Sequence, residues 1–131
     1  MSTLKVNTIQ NTSGTEMYLA KAWVNFNGTF GTSPFTVANG GIRAAGNVTS
    51  VTDNGIGDYT INFAPGTFSD TNYAVHTTVA STETGPGPIL RQATEFITAR
   101  SAASMQVITG YTYSGGYAKE DQTVVSVSVF R

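Results

Sequence analysis

The sequence predicts an all-β domain, a sandwich or a barrel, and three observations lead there. Apolar and polar residues alternate in short runs along most of the 131 residues, which is the pattern of strands with one buried face. The runs are punctuated by Gly, Pro and Asn, as in Asn39-Gly40-Gly41, Asn54-Gly55 and Pro65-Gly66. Short strands separated by such turns at near-regular spacing build sandwiches and barrels. Thr, Ser, Asn, Gly and Val are abundant while charge is scarce, and these residues suit pleated half-buried surfaces and tight turns.

Leu4, Val6 and Thr8 alternate with Lys5 and Asn7, giving a first strand. Asn11 to Thr15 is a polar joint without an apolar anchor and reads as a hinge. The chain therefore divides into an N-terminal strand arm with its hinge, 1–15, and a β domain, 16–131. Ala22, Val24 and Phe26 share one face of the next strand, with Trp23 and Asn25 on the other, and Phe26 to Thr29 turns the chain. Pro34 and Asn39-Gly40-Gly41 bound a segment holding Phe35 and Val37. Ile42, Ala44, Val48 and Val51 follow, with Gly46 placed for a bulge or a close backbone approach.

The clearest hairpin lies between Val48–Val51 and the alternating Tyr59, Ile61 and Phe63, and Asn54-Gly55 supplies turn residues that tolerate positive φ. Tyr73, Val75, Thr77 and Val79 alternate strictly, and Gly85-Pro86-Gly87-Pro88 is a stiff loop. The stretch 89–100 fits an amphipathic helix or a strand, and its β-branched residues and strand-like surroundings favour the strand. Met105, Val107 and Thr109 form another strand, Tyr111 to Tyr117 an aromatic glycine-rich loop, and Thr123 to Phe130 the last strand, with Val125, Val127 and Val129 on one face.

Lys and Arg total 7 against 8 Asp and Glu, with no charged run, which argues against a nucleic-acid partner. Cysteine is absent, so there are no disulfides, thiolate nucleophiles or cysteine-ligated zinc. Met-Ser-Thr-Leu-Lys lacks the apolar core of a secretory signal, and no run is long enough for an apolar membrane-spanning helix. Synthesis in a cytoplasm without membrane insertion is expected.

His76, the single histidine, sits mid-strand with no Ser or Cys nucleophile motif beside it, so no catalysis is expected. Asp53, Asn54, Gly55 and Asp58 mimic part of a calcium loop but are too few and flanked by strands; turn chemistry explains them, and no metal or cofactor is expected. Asn11, Asn27 and Asn47 open three sequons that chance explains in so Asn- and Thr-rich a chain. Tyr111, Tyr113 and Tyr117, interleaved with Gly110, Gly115 and Gly116, form a candidate recognition loop, weighed against tyrosines packing on the domain edge or a neighbouring subunit. Trp23 is expected in the core or an interface rather than as a ligand platform.

The opening residues, Met-Ser-Thr-Leu-Lys-Val-Asn-Thr-Ile-Gln-Asn-Thr-Ser-Gly, resemble the N-terminus of tail-fibre and tail-associated proteins of marine and cyanobacterial bacteriophages. Lys21 to Thr29, Val48 to Phe63, Asn72 to Val75 and Val125 to Arg131 resemble the small β domain of the same proteins, in the same order. The resemblance implies a virion protein, a homotrimer, with an antiparallel β-sandwich, jelly-roll-like or immunoglobulin-like, behind a short N-terminal strand. Its length leaves no room for the shaft or separate adhesive tip of longer members. A tail-fibre or tail-associated subunit contributing to particle assembly and host attachment is the first expectation. A capsid decoration protein and a carbohydrate-binding module are the alternatives. Leu4, Val6 and Ile9, with Trp23, are expected to contact other virion proteins or subunits, through strand pairing at a sheet edge in the case of the arm. A host surface glycan or protein is a further candidate partner.

Overall fold

The computed structural model describes residues 9–10, 12–15, 18–80, 90–96, 99–113 and 115–131. Leu4, Val6 and the Gly85–Pro88 loop lie outside them. Every regular element among the described residues is a strand: β1 (Ala20–Phe26), β2 (Ile42–Gly46), β3 (Val48–Gly55), β4 (Asp58–Phe63), β5 (Ala74–Ala80), β6 (Leu90–Phe96), β7 (Ser104–Tyr113), β8 (Gly116–Lys119) and β9 (Val124–Phe130). They pair antiparallel in two sheets, β2-β1-β9-β5 and β3-β4-β7-β6, with β8 beside the far half of β7. The fold is an antiparallel β-sandwich.

Alternation decides which side chains enter it. From the first sheet come Ala22, Val24 and Phe26 of β1 and Val125, Val127 and Val129 of β9; from the second come Val51, Tyr59, Ile61, Phe63, Met105 and Val107. Fully burying one such side chain stabilises the fold by about 1.5–3 kcal/mol. Aromatic residues close the layer at both ends. Phe26, Phe35 and Tyr59 meet at one end, with ring centroids 5.1 to 6.1 Å apart. Phe63, Phe68 and Tyr73 meet at the other, 4.8 to 5.7 Å apart. Lys21 and Arg100 lay their cationic heads over Phe68 and Tyr73.

A single residue, Asn47, links β2 of one sheet to β3 of the other. It takes φ 55°, which Asn tolerates better than most residues, and its Nδ2 donates to the Lys21 carbonyl across the corner. The ambiguous stretch 89–100 contains strand β6, not a helix: residues 90–96 pair in unbroken register with β7.

Two expectations are revised and a third is narrowed. The β3–β4 hairpin turns at Ile56-Gly57, not at Asn54-Gly55, because Gly55 already pairs with Asp58 and Asn54 is the extra residue of a bulge. The Asp53 carboxylate accepts the Gly55 N–H, and Asn54 Nδ2 donates to Asp58 and Thr60, so the Asn-Gly pair is consumed in shaping the strand end. Tyr111 to Tyr117 is a hairpin of β7 and β8 rather than a loop, with Tyr111 opposite Ala118, Thr112 opposite Tyr117 and Tyr113 opposite Gly116. Of the two places expected for Trp23, core or interface, the core is excluded: it is 41 % exposed, since its odd position on β1 faces away from Ala22 and Val24.

Candidate functional site

The register of the β7–β8 hairpin distributes its tyrosines over two faces. Residues directly opposite one another point the same way and neighbours along a strand alternate, so Tyr117 shares a face with Thr112 and Gly110, while Tyr111 and Tyr113 occupy the other. Tyr111 and Tyr113 lie 5.9 Å apart by ring centroid. The Tyr117 ring packs on Gly110, where a Cβ would collide with it, and this partial burial raises the pKa of its hydroxyl. Tyr113 and Tyr117 remain exposed. The hairpin offers a tyrosine pair on one side and a single supported tyrosine on the other, not one three-ring platform.

On the same outward face as Tyr117 lies a polar network. Asp58 accepts hydrogen bonds from Asn54, from Gln106 at 2.5 Å and from Lys119 at 2.7 Å. Partial burial pushes the Asp58 pKa up, but these three donors outweigh it and hold the carboxyl below its ordinary value. Asn62 bridges to Ser50 and Thr52 farther along the sheet. Asp53 and Asp58, the acids of the calcium-like stretch, are thus engaged in turn and strand contacts. Among the described residues no three His, Asp or Glu side chains gather as a metal site.

A second cluster escaped the sequence reading. Tyr59 is fully buried and its hydroxyl lies 2.7 Å from Asp121 Oδ1 and 2.9 Å from the Gly28 carbonyl, to either of which it can donate. Asp121 Oδ1 also accepts the Gly57 N–H at 2.7 Å. Burial, reinforced by the neighbouring Asp121 carboxylate, drives the Tyr59 pKa far above that of an ordinary phenol. The group fastens the turn after β1, the tip of the β3–β4 hairpin and the link into β9; a phenol held so firmly protonated acts as a structural donor. Beside it Gln122, also fully buried, donates through Nε2 to Glu120.

The outward face of β2-β1-β9-β5 is different in kind. In register across it run Gly46, Trp23, Ser128 and His76, and beside them Ala44, Asn25, Ser126 and Thr78. Trp23 rests its five-membered ring on Gly46, where a Cβ would collide with the indole Nε1. Asn25 Nδ2 donates to Ser126 Oγ at 2.7 Å. Arg43 reaches over β1, donating to Asn25 Oδ1 at 3.3 Å and to the Thr123 carbonyl at 2.6 Å. His76 is exposed in the middle of β5.

No family model, no curated protein and no solved structure matches the chain.

Ile9 of the predicted contact set is 42 % exposed, and Tyr18 and Leu19, just before β1, are more exposed still. Arg43 and Gly46 were not legible as site residues, because only the pairing of β1 with β2 brings Gly46 under Trp23 and Arg43 to Asn25. Gly46 was marked for a close approach, but nothing in the sequence named the ring that approaches it.

Proposed function

We propose that the chain is a non-enzymatic structural subunit of a bacteriophage particle, belonging to the tail and assembling as a homotrimer. The observation that carries the reading is the resemblance of its N-terminus and of four further segments, in order, to tail-associated phage proteins. Those segments coincide with β1 and its turn, the β3–β4 hairpin, the entry to β5 and strand β9, the parts that contribute most of the core. A resemblance spread over the framework, rather than over one surface motif, is what kinship of the whole domain would leave.

In this role the N-terminal segment carries the attachment. Apolar Tyr18 and Leu19 stand exposed where it joins β1, and exposed apolar residues near a chain end suit burial against another subunit. Light scattering on the soluble chain is expected to give a mass near three copies, and a density map of the intact particle to place the domain at the tail. Density at the capsid surface instead would favour the decoration role. Screening the purified chain against peptidoglycan, polysaccharides and esters is expected to show no turnover; turnover abolished by His76→Ala would refute the non-enzymatic reading.

A further inference from the structure

Three Asn-Gly pairs stand in the chain, Asn27-Gly28, Asn39-Gly40 and Asn54-Gly55. The pair has a chemistry of its own. With no Cβ on the glycine, its backbone nitrogen can reach the side-chain carbonyl carbon of the preceding asparagine and close a cyclic imide. Ring closure needs an asparagine side chain that can swing, a glycine N–H that can be given up, and room around the glycine. The fold treats the three pairs unequally.

At Asn27, packing closes the route. Gly28 is buried, and a Cβ there would meet the Tyr59 hydroxyl at 2.6 Å. Its N–H is committed to the Gln122 carbonyl at 2.9 Å, while Asn27 Oδ1 accepts from the N–H and the hydroxyl of Thr29. At Asn39, the side chain is the centre of a turn. Its Oδ1 accepts the Thr36 and Gly41 N–H groups at 2.9 and 3.1 Å, and its Nδ2 donates to the Pro34 carbonyl at 2.9 Å. The Gly40 N–H is turned to the Val37 carbonyl. Each of these partners is main chain, so freeing Asn39 means undoing the turn.

Asn54 differs on every count. Asn54, Gly55 and Ile56 are exposed in succession, and nothing lies within 4 Å of the Cβ direction of Gly55. As the extra residue of the bulge, Asn54 moves without giving up a partner across the strand pair. Its Nδ2 bonds, 3.2 Å to Asp58 and 2.9 Å to Thr60, run to side chains. The Gly55 N–H is likewise held by a side chain, the Asp53 carboxylate at 2.9 Å. At an exposed position water replaces such partners at little net cost.

We propose that Asn54 is a site of spontaneous deamidation in the folded chain, while the fold protects Asn27 and Asn39. The Gly55 nitrogen attacks Asn54 Cγ and gives its proton to solvent, and the bond from Cγ to Nδ2 breaks as ammonia leaves. Water then opens the imide at either carbonyl, leaving aspartate or isoaspartate at position 54. A neutral donor to Asp58 and Thr60 becomes a carboxylate beside Asp58, so ageing adds negative charge at the end of the β3–β4 hairpin. The inference goes beyond the particle role and applies to the chain on its own.

The full chain is held for weeks at body temperature in mildly alkaline buffer, once folded and once in concentrated guanidinium chloride, then digested for peptide mass spectrometry. Conversion replaces NH2 by OH, and the mass rise is assigned to each pair separately. In guanidinium the three pairs are expected to convert at similar rates. In the folded chain Asn54 is expected to convert roughly tenfold faster than Asn27 or Asn39, the scale of one hydrogen bond that need not be given up. The proposal is overturned if folded Asn27 or Asn39 keeps pace with Asn54, or if Asn54 converts in guanidinium and not in the folded chain. A mass rise that persists undiminished in folded Asn54→Gln overturns it too. An Asn54 excess already present in guanidinium would assign the difference to sequence and remove the role of the fold. None of these outcomes bears on the particle role, which the density map decides.

Discussion

Tyr59 joins two tasks in one side chain. Its ring packs edge-on against Phe26 at 5.1 Å, and its hydroxyl ties Gly28 and Asp121 together. Tyr59→Phe keeps the ring but leaves buried acceptors short of a donor, so a loss of about 1–2 kcal/mol in unfolding free energy is expected by denaturant titration. The pH dependence follows from the raised pKa. An unfolded chain releases the phenol proton near pH ~10, whereas the folded chain keeps it well above that. The folded state then binds more protons, so the contribution of Tyr59 is whole below pH ~10 and is lost as pH rises beyond it. Tyr59→Phe is expected to flatten the alkaline fall in stability; an unchanged profile would place the lability elsewhere. The burial of Tyr59 was legible from its alternation with Ile61 and Phe63. Its partner was not, because Asp121 lies 62 residues away in a stretch without periodicity, and only the folded topology brings the two together.

At the scale of the element, alternation placed the strands well and turn chemistry placed the turns less well. The inward faces of β1, β4 and β9 follow directly from the apolar residues at every second position. The β3–β4 turn was displaced because Asn54-Gly55 satisfies a local turn preference, while the contacts at Gly57 are long-range. Gly57 has φ 60°, and a Cβ there would collide with the Thr109 carbonyl and crowd the Glu120 N–H at 2.7 Å. Gly66 shares the left-handed conformation, with φ 79°, but has nothing within 4 Å of its Cβ direction. Gly66→Ala is therefore expected to cost only backbone strain, about 1 kcal/mol, whereas Gly57→Ala adds steric overlap with a neighbouring backbone and is expected to cost about 3 kcal/mol. Thermal unfolding of the two variants side by side checks this, and equal shifts would mean that the β3–β4 tip gives way. The β7–β8 hairpin was missed for a related reason. Gly110, Gly115 and Gly116 resemble loop composition, yet Gly110 lies in β7 as the seat of the Tyr117 ring and Gly116 opens β8 at φ 137°.

The whole molecule packs two sheets around a common core, with Trp23, Arg43 and small hydroxyls on the outer face of one and the Asp58 network on the outer face of the other. What joins it to a larger assembly, in the proposed role, is the segment before β1. Thr12 to Thr15 form an exposed turn with φ 81° at Gly14, and the described core draws no residue from before Ala22. Cooperative folding follows the core, and the proposed anchor role has this segment supply attachment rather than stability. Deleting Met1 to Ser13 is expected to leave a domain that unfolds cooperatively within a few degrees of the full chain. It should also reduce the mass in light scattering from near three chains to one and exclude the protein from particles. Leu4→Asp with Val6→Asp in the full-length chain is expected to do the same, since a charge opposes the burial in a partner that the proposed anchor role requires of these apolar side chains. If the truncated chain unfolds instead, Leu4, Val6 and Ile9 belong to the core of their own domain, and the contacts that build the oligomer must be sought on the exposed edge strands.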